Sequence, residues 1–260
     1  MPHRPSYSQV LATAILLVWL LASSVPARAQ GIVVVELFTS EGCSSCPPAD
    51  ALLASLSRQR NSASTELVLL GEHVEYWNDL GWRDRFSAPA FTQRQYNYVR
   101  QLHLATAFTP QVVIDGRLQT VGGNGGALQK LIAEAARAPK PAGVSLSFVS
   151  PDKLRVHVTD SSHANSKVLL AVTEDNLGTT VQAGENSGRT LTHAAVVRIL
   201  EALGTTADGS FEKVVAIPSK GEWKKADLRL VVLVQDQQTG AIRGAANLPL
   251  QPMSPSATGR

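Results

Sequence analysis

Two cysteines, and only two, occur among the 260 residues of the chain. They stand as Cys43-Ser44-Ser45-Cys46 at the joint between two different hydrophobic patterns. Upstream, Ile32–Phe38 reads IVVVELF, a β-branched run of the kind that makes a strand buried on both faces. Downstream, Leu52, Leu53 and Leu56 share one helical face, so a helix is expected over Pro47–Arg58, with Arg58 and Arg60 at its dipole-negative end. Pro47 and Pro48 suit a first turn, whose N–H groups need no intrahelical partner, and they fix where the helix starts. Glu66–Leu70 (ELVLL) is a second strand pattern. Strand, helix and strand at this spacing form a βαβ unit with parallel strands and a right-handed crossover. The cysteine pair therefore lies at the C-terminal edge of a parallel sheet, where ligands bind. It also lies at a helix N-terminus, where free N–H groups and partial positive charge favour a thiolate over a thiol.

The following elements keep the first part of the chain α/β. A helix is expected from Pro89 to Leu102, capped by Ser87, within an insertion over Asn78–Ala105. Gln111–Ile114 and Leu118–Val121 flank Asp115-Gly116, a hairpin turn signal. An amphipathic helix is expected over Ala127–Ala138, and Pro139-Lys140-Pro141-Ala142-Gly143 reads as a linker. Beyond it, Val144–Val149, Leu154–Val158, Val168–Thr173, Lys213–Ile217 and Leu228–Gln235 alternate as half-buried strands do, with Ala241–Leu248 as a hairpin partner to the last. Thr190–Leu203 is ambiguous between strand and helix. The expectation for residues 142–250 is a mostly-β, sandwich-like domain, with 251–260 as a tail. His157, His163 and His193 are scattered there without metal-ligand spacing.

The first residues read as an address. Met1–Gln9 carries Arg4 and no acid, Val10–Val25 is largely apolar, and Ala27-Arg28-Ala29 is a small-x-small cleavage pattern. Residues 1–29 are expected to be a secretory signal peptide, which implies a periplasmic or secreted protein in an oxidising compartment with no stable membrane insertion after cleavage. Lys and Arg total 24 against 21 Asp and Glu. Removing Arg4 and Arg28 leaves the mature chain near neutrality, with no basic run for nucleic acid. At 44% apolar and 17% charged residues the chain can bury a core.

The chemistry rests on the cysteine pair. A helix end is worth about 0.3–1 kcal/mol, up to ~2 in a favourable site, which lowers a thiol pKa by roughly one unit from ~8.5. Glu41 pushes the other way. Cys43 precedes the helix and is expected to be exposed and mildly activated, the nucleophile of a reductase or isomerase rather than a strong oxidant. Cys46, in the first turn, is expected to resolve the mixed disulfide. The alternatives are a structural staple, for which so short a loop gives only about 2 kcal/mol, and a metal site, for which only His73 and His103 stand by in this part of the chain.

Phe108-Thr109-Pro110-Gln111 precedes Val112-Val113-Ile114-Asp115-Gly116. A CxxC pair after the first strand, with this Thr-Pro strand further on, resembles the thioredoxin-like superfamily. The resemblance implies an N-terminal thioredoxin-like domain over 30–139 with a central mixed sheet. It further implies that Pro110 is cis and faces the cysteine pair, and that the Thr109 backbone pairs with an extended peptide. Val34–Asp50, His73–Phe86, the FTPQVVIDG segment and Gly184–Arg198 together resemble the secreted family known as domain of unknown function 1223, across nearly the whole mature chain. Two departures from thioredoxin stand out. Serines fill the pair, and the position of its buried acid is Leu37, with Glu36 one residue away and so on the opposite face.

The function expected is thiol–disulfide exchange on exported proteins. Cys43, Cys46 and Pro110 are its catalytic residues, and Thr109, Ser44, Ser45, His73 and Trp77 line the substrate. No metal and no dissociable cofactor are expected beyond the redox-active disulfide itself, but a redox partner must reset the pair. His73 and Trp77 follow the second strand to the same edge, whereas Trp82 is expected to pack, and Glu75, Asp79 and Asp84 to form a solvated face. The rivals are a binding protein that kept the fold without turnover and a copper-handling protein that uses His73.

Overall fold

The computed structural model describes residues 31–60, 65–206 and 208–250; the expected signal peptide and tail fall outside them. β1 (Gly31–Thr39) and β2 (Thr65–His73) pair in parallel along their full length, from Gly31 opposite Thr65 to Thr39 opposite His73. α1 (Pro47–Gln59) connects them, with Pro47 at its start and Cys46 as its N-cap residue. The βαβ expectation holds, and the helix runs one residue past Arg58. On the other side of β1 lies antiparallel β3 (Gln111–Ile114), which turns through Asp115 and Gly116 into β4 (Leu118–Val121). Both turn residues are left-handed, at φ 50° and 66°, as the favoured hairpin turn requires.

Alternation along β1 assigns its two faces. Val33, Val35 and Leu37 pack with Ala49 and Leu53 of α1 and with Leu128 and Ala135 of α3 (Gly125–Ala135). Val34 and Phe38 face the other way, toward Phe91 and Tyr98 of α2 (Pro89–Gln101). The N-cap of α2 is Ala88, not Ser87, whose hydroxyl instead donates to the Asp84 carbonyl.

The strands after Pro139 are β5 (Ala142–Ser150), β6 (Lys153–Asp160), β7 (Ser166–Glu174), β8 (Leu177–Thr180), β9 (Thr190–His193), β10 (Val196–Thr205), β11 (Ser210–Ala216), β12 (Leu228–Asp236) and β13 (Ile242–Pro249). The ambiguous stretch is thus two strands, broken at Ala195 with φ 52°. β10 lies beside β2 in parallel, Val196 opposite Gly71, and the Gly71 N–H donates to Ala195 O at 2.7 Å. One mixed sheet therefore crosses the expected linker in the order β13-β12-β7-β10-β2-β1-β3-β4. A second sheet, β11-β6-β5, lays Leu154, Val156 and Val158 onto Val168, Leu170, Leu230 and Val232. The result is a mixed α/β fold with one large central sheet and few helices.

One connection departs from this layering. β7 and β10 are hydrogen-bonded neighbours, yet residues 175–195 between them leave the sheet. They form the β8–β9 hairpin, which packs on α1 and spans the sheet edge that carries the cysteines.

Candidate functional site

Cys43 and Cys46 are joined in a disulfide, with Cα atoms 5.4 Å apart. Their turn is tied by Cys43 N–H to Ser40 O at 3.2 Å and Cys46 N–H to Cys43 O at 3.2 Å, and the Cys46 carbonyl then receives the first helical N–H groups, of Ala49 and Asp50. The expectation that Cys43 is exposed is corrected: both cysteines have 0% solvent exposure. Ser44 and Ser45 face solvent above them, and the Ser45 hydroxyl donates to Cys43 Sγ at 3.3 Å.

The Thr109–Pro110 bond is cis. Pro110 is buried, and it flanks with Ala49 the point where a Gly122 Cβ would sit, so it lies beside the first turn of α1. Trp77 bridges this loop to the cysteine turn. Its Nε1 donates to Thr109 Oγ1 at 2.9 Å, and its Cβ would lie 3.1 Å from a Cβ on Gly42. Thus Cys43, Cys46, Thr109, Pro110 and Trp77 come together, while Glu36 does not join them. Glu36 lies on the α2 face, bound to Arg94 and to the Tyr98 hydroxyl.

Beside the cysteine turn lies a buried polar group, of which the sequence singled out only His73. Glu41 and Asp50 flank the pair in sequence, and His73, Asp84 and His193 complete the set; all are nearly inaccessible. Asp50 stands one helical turn after Cys46, a spacing that puts both side chains on one helix face. His73, expected to line a groove, is instead fully buried with Nδ1 2.6 Å from Asp84 Oδ2. Asp84, expected at a solvated face, also accepts the Glu41 and Phe86 N–H groups at 2.8 and 2.9 Å. His193, set aside as scattered, lies between two carboxylates: Nε2 is 3.4 Å from Glu41 Oε1 and Nδ1 3.9 Å from Asp50 Oδ2. The two imidazoles meet edge to face at 4.8 Å. Trp82 is half-buried against Gly184, and its Nε1 donates to Glu41 Oε2 at 2.9 Å.

The protonation of this group is set by burial against pairing. Burial raises the Asp50 carboxyl above its ordinary value, with His193, His73 and the Thr39 hydroxyl only partly opposing it. Burial pulls the His73 imidazole down, but Asp84 outweighs it and holds His73 above its ordinary value. Asp84 shows the mirror effect: burial pushes it up, and His73 with the backbone donors holds it below. Glu41 is likewise pushed up by burial, yet the neighbouring His193 and Thr179 and the hydrogen bond from Trp82 leave it lowered. Asp50 Oδ2 and both His193 nitrogens make no hydrogen bond; they face one another and Glu41 at 3.9 and 3.4 Å. Among the described residues no group of three or more His, Cys, Asp or Glu side chains is arranged to hold a metal ion.

The sequence profile of a family described as "Protein of unknown function (DUF1223)" matches residues 34–235. The chain belongs to the DUF1223 family. The matched span takes in the cysteine turn, the Thr109–Pro110 loop, the buried cluster and the β8–β9 hairpin together. The crystal structure of protein AGR_C_4864 from Agrobacterium tumefaciens is similar, at 27% identity and TM-score 0.69, covering 85% of this chain and 96% of that one. It shares the mixed fold of this DUF1223 chain. A domain of the outer membrane lipoprotein Omp28 from Porphyromonas gingivalis aligns at 15% identity and TM-score 0.25, over 45% of this chain and 92% of that one. No curated protein matches.

Proposed function

We propose that this DUF1223 chain is an exported thiol–disulfide oxidoreductase of the reductase or isomerase type. On this reading β1–β4 with α1–α3 form a thioredoxin-like unit, and the strands after Pro139 form a sandwich-like second layer. The observation that carries it is the buried set Glu41, Asp50, His73, Asp84 and His193 beside the disulfide-bonded turn. A short staple of about 2 kcal/mol needs no titratable groups, and burying them is costly unless they serve.

In the reducing direction the Cys43 thiolate attacks one sulfur of a substrate disulfide. A mixed disulfide forms, and the other substrate sulfur leaves as a thiolate that takes up a proton. Cys46 passes its proton to Asp50, one helical turn along α1, and attacks Cys43 Sγ. The intramolecular bond closes and the second substrate thiol departs. A dithiol redox partner then returns two electrons and two protons to the pair. Thr109 and Pro110 dock the extended peptide, and Ser44, Ser45 and Trp77 border it. His73 acts through Asp84 by keeping the cluster charged.

The full burial of both sulfurs favours a second reading, a binding protein whose disulfide is not turned over. A Cys46→Ser variant separates the two. Exchange predicts reducible covalent adducts between Cys43 and exported proteins, absent when Cys43 is also Ser, together with insulin reduction by the unmodified chain. Neither signal is expected of a binding protein.

A further inference from the structure

Part of what covers the cysteines comes from far along the chain. Asn186, itself fully buried, donates through Nδ2 to Glu41 O and to Cys43 O, both at 2.9 Å, and the Glu185 carboxylate accepts the Ser44 N–H at 3.0 Å. From this we infer that the loop 181–189, at the tip of the β8–β9 hairpin, is a gate over the disulfide: closed, it seals the pair, and it lifts off the Glu41–Ser44 turn to admit a reacting thiol. As regulation of the exchange site, the gate rests on the reading above.

Sulfurs without exposure react with nothing bimolecular until something moves, and most of this loop is exposed. Gln182, Ala183, Gly184, Glu185, Ser187, Gly188 and Arg189 are exposed, and within the loop only Val181 at its base and Asn186 at its tip are buried, with Gly184 against Trp82. A segment with so few buried apolar contacts lies at the low-stability end of local opening. The loop is also closed on itself, by Gly188 N–H to Val181 O and Val181 N–H to Arg189 O, both at 2.9 Å, and by Arg189 to Asn186 Oδ1 at 2.8 Å. It can therefore move as a unit. Gly184 and Gly188 have φ of +75° and +80°, and around Gly188 there is open space. Trp77, in contrast, is held by Thr109 and packs against the cluster of Phe38, Val74 and Tyr98. The Ser45 hydroxyl that bonds Cys43 Sγ at 3.3 Å is itself exposed.

The test is the rate at which tris(2-carboxyethyl)phosphine reduces Cys43–Cys46 in the folded, oxidised chain, read by mass-tagging the released thiols. Each disulfide yields two thiols, and the phosphine takes the oxygen of one water to become the phosphine oxide. Asn186→Ala is expected to speed reduction roughly tenfold or more, and Glu185→Ala, which alters an exposed side chain and leaves folding intact, about two- to fivefold. Arg243→Ala, which removes a remote ion pair with Asp160, reports on general loosening and is expected to leave the rate unchanged. Wild-type rates in both loop variants, or equal acceleration in all three, would overturn the gate. Faster reduction beside an empty Cys46→Ser trap upholds the gate and removes the exchange reading. Unchanged rates beside a filled trap remove the gate alone.

Discussion

Replacing Arg94 by Leu is expected to cost about 3–5 kcal/mol of stability at neutral pH, the usual result of leaving buried charge without its partner. The guanidinium is at the centre of a network between α2 and the sheet. Nε lies 2.5 Å from Glu36 and 3.3 Å from Glu72, Nη1 donates to Gln235 at 3.0 Å, and Nη2 donates to the Tyr98 hydroxyl at 3.0 Å. Gln235 belongs to β12, so one side chain ties the first strands to the last. Burial lowers the Arg94 pKa, but Glu36, Tyr98 and Glu72 outweigh it and hold the group cationic. Burial drives the Glu72 carboxyl well above its ordinary value, even with Arg94 opposing. A raised carboxyl favours folding below its unfolded pKa, and that contribution is lost as pH rises through the folded value. Without Arg94 this dependence steepens, so urea unfolding should show a smaller loss at pH 4 than at pH 7. A loss under about 1 kcal/mol, or one independent of pH, would refute the role given to this network.

Asp84→Asn is expected to destabilise the chain by a similar amount, about 3–5 kcal/mol, with a different pH signature. His73 is held above its ordinary 6.5, so its contribution is complete below that pH and is lost as pH rises through the folded value. Asp84 is held below its ordinary 3.8, so its contribution is complete above that pH and is lost as pH falls through the folded value. The pair therefore stabilises most between about pH 4 and 6.5. The difference between wild type and variant should peak in that window and shrink on both sides. A difference that is flat from pH 3 to 9 would show that the His73–Asp84 contact is not an ion pair in solution.

Local patterns in the sequence were enough to place most of the elements around the cysteines. IVVVELF, the Pro47–Pro48 start and the Asp115–Gly116 turn each encode their structure within a few residues, and all three fall where expected. What was hidden depends on distant partners. β10 meets β2 through a single register pair, Val196 with Gly71, and no local pattern announces such a contact. Asp84 sits among arginines and aromatics in the stretch before the helix at Pro89, so nothing marks it as the acid that turns inward. His193 did carry a signal: in Thr190–His193 the burial alternates, with Leu191 and His193 on one face, so a period-two reading would have put the histidine inside with the leucine. A residue just before a helix start is ordinarily open to solvent, which is why the local pattern points Cys43 outward. Glu185 and Asn186, which bond the backbone of the cysteine turn, belong to a polar stretch that reads as an ordinary loop.

The account turns on whether Cys43–Cys46 exchanges electrons or only holds a turn in place. Its reduction potential decides this, measured by equilibrating the full chain with dithiol and glutathione redox buffers. The account predicts a value between about −270 and −120 mV, the span of proteins that trade disulfides. A value below about −300 mV, where structural disulfides lie, would contradict it.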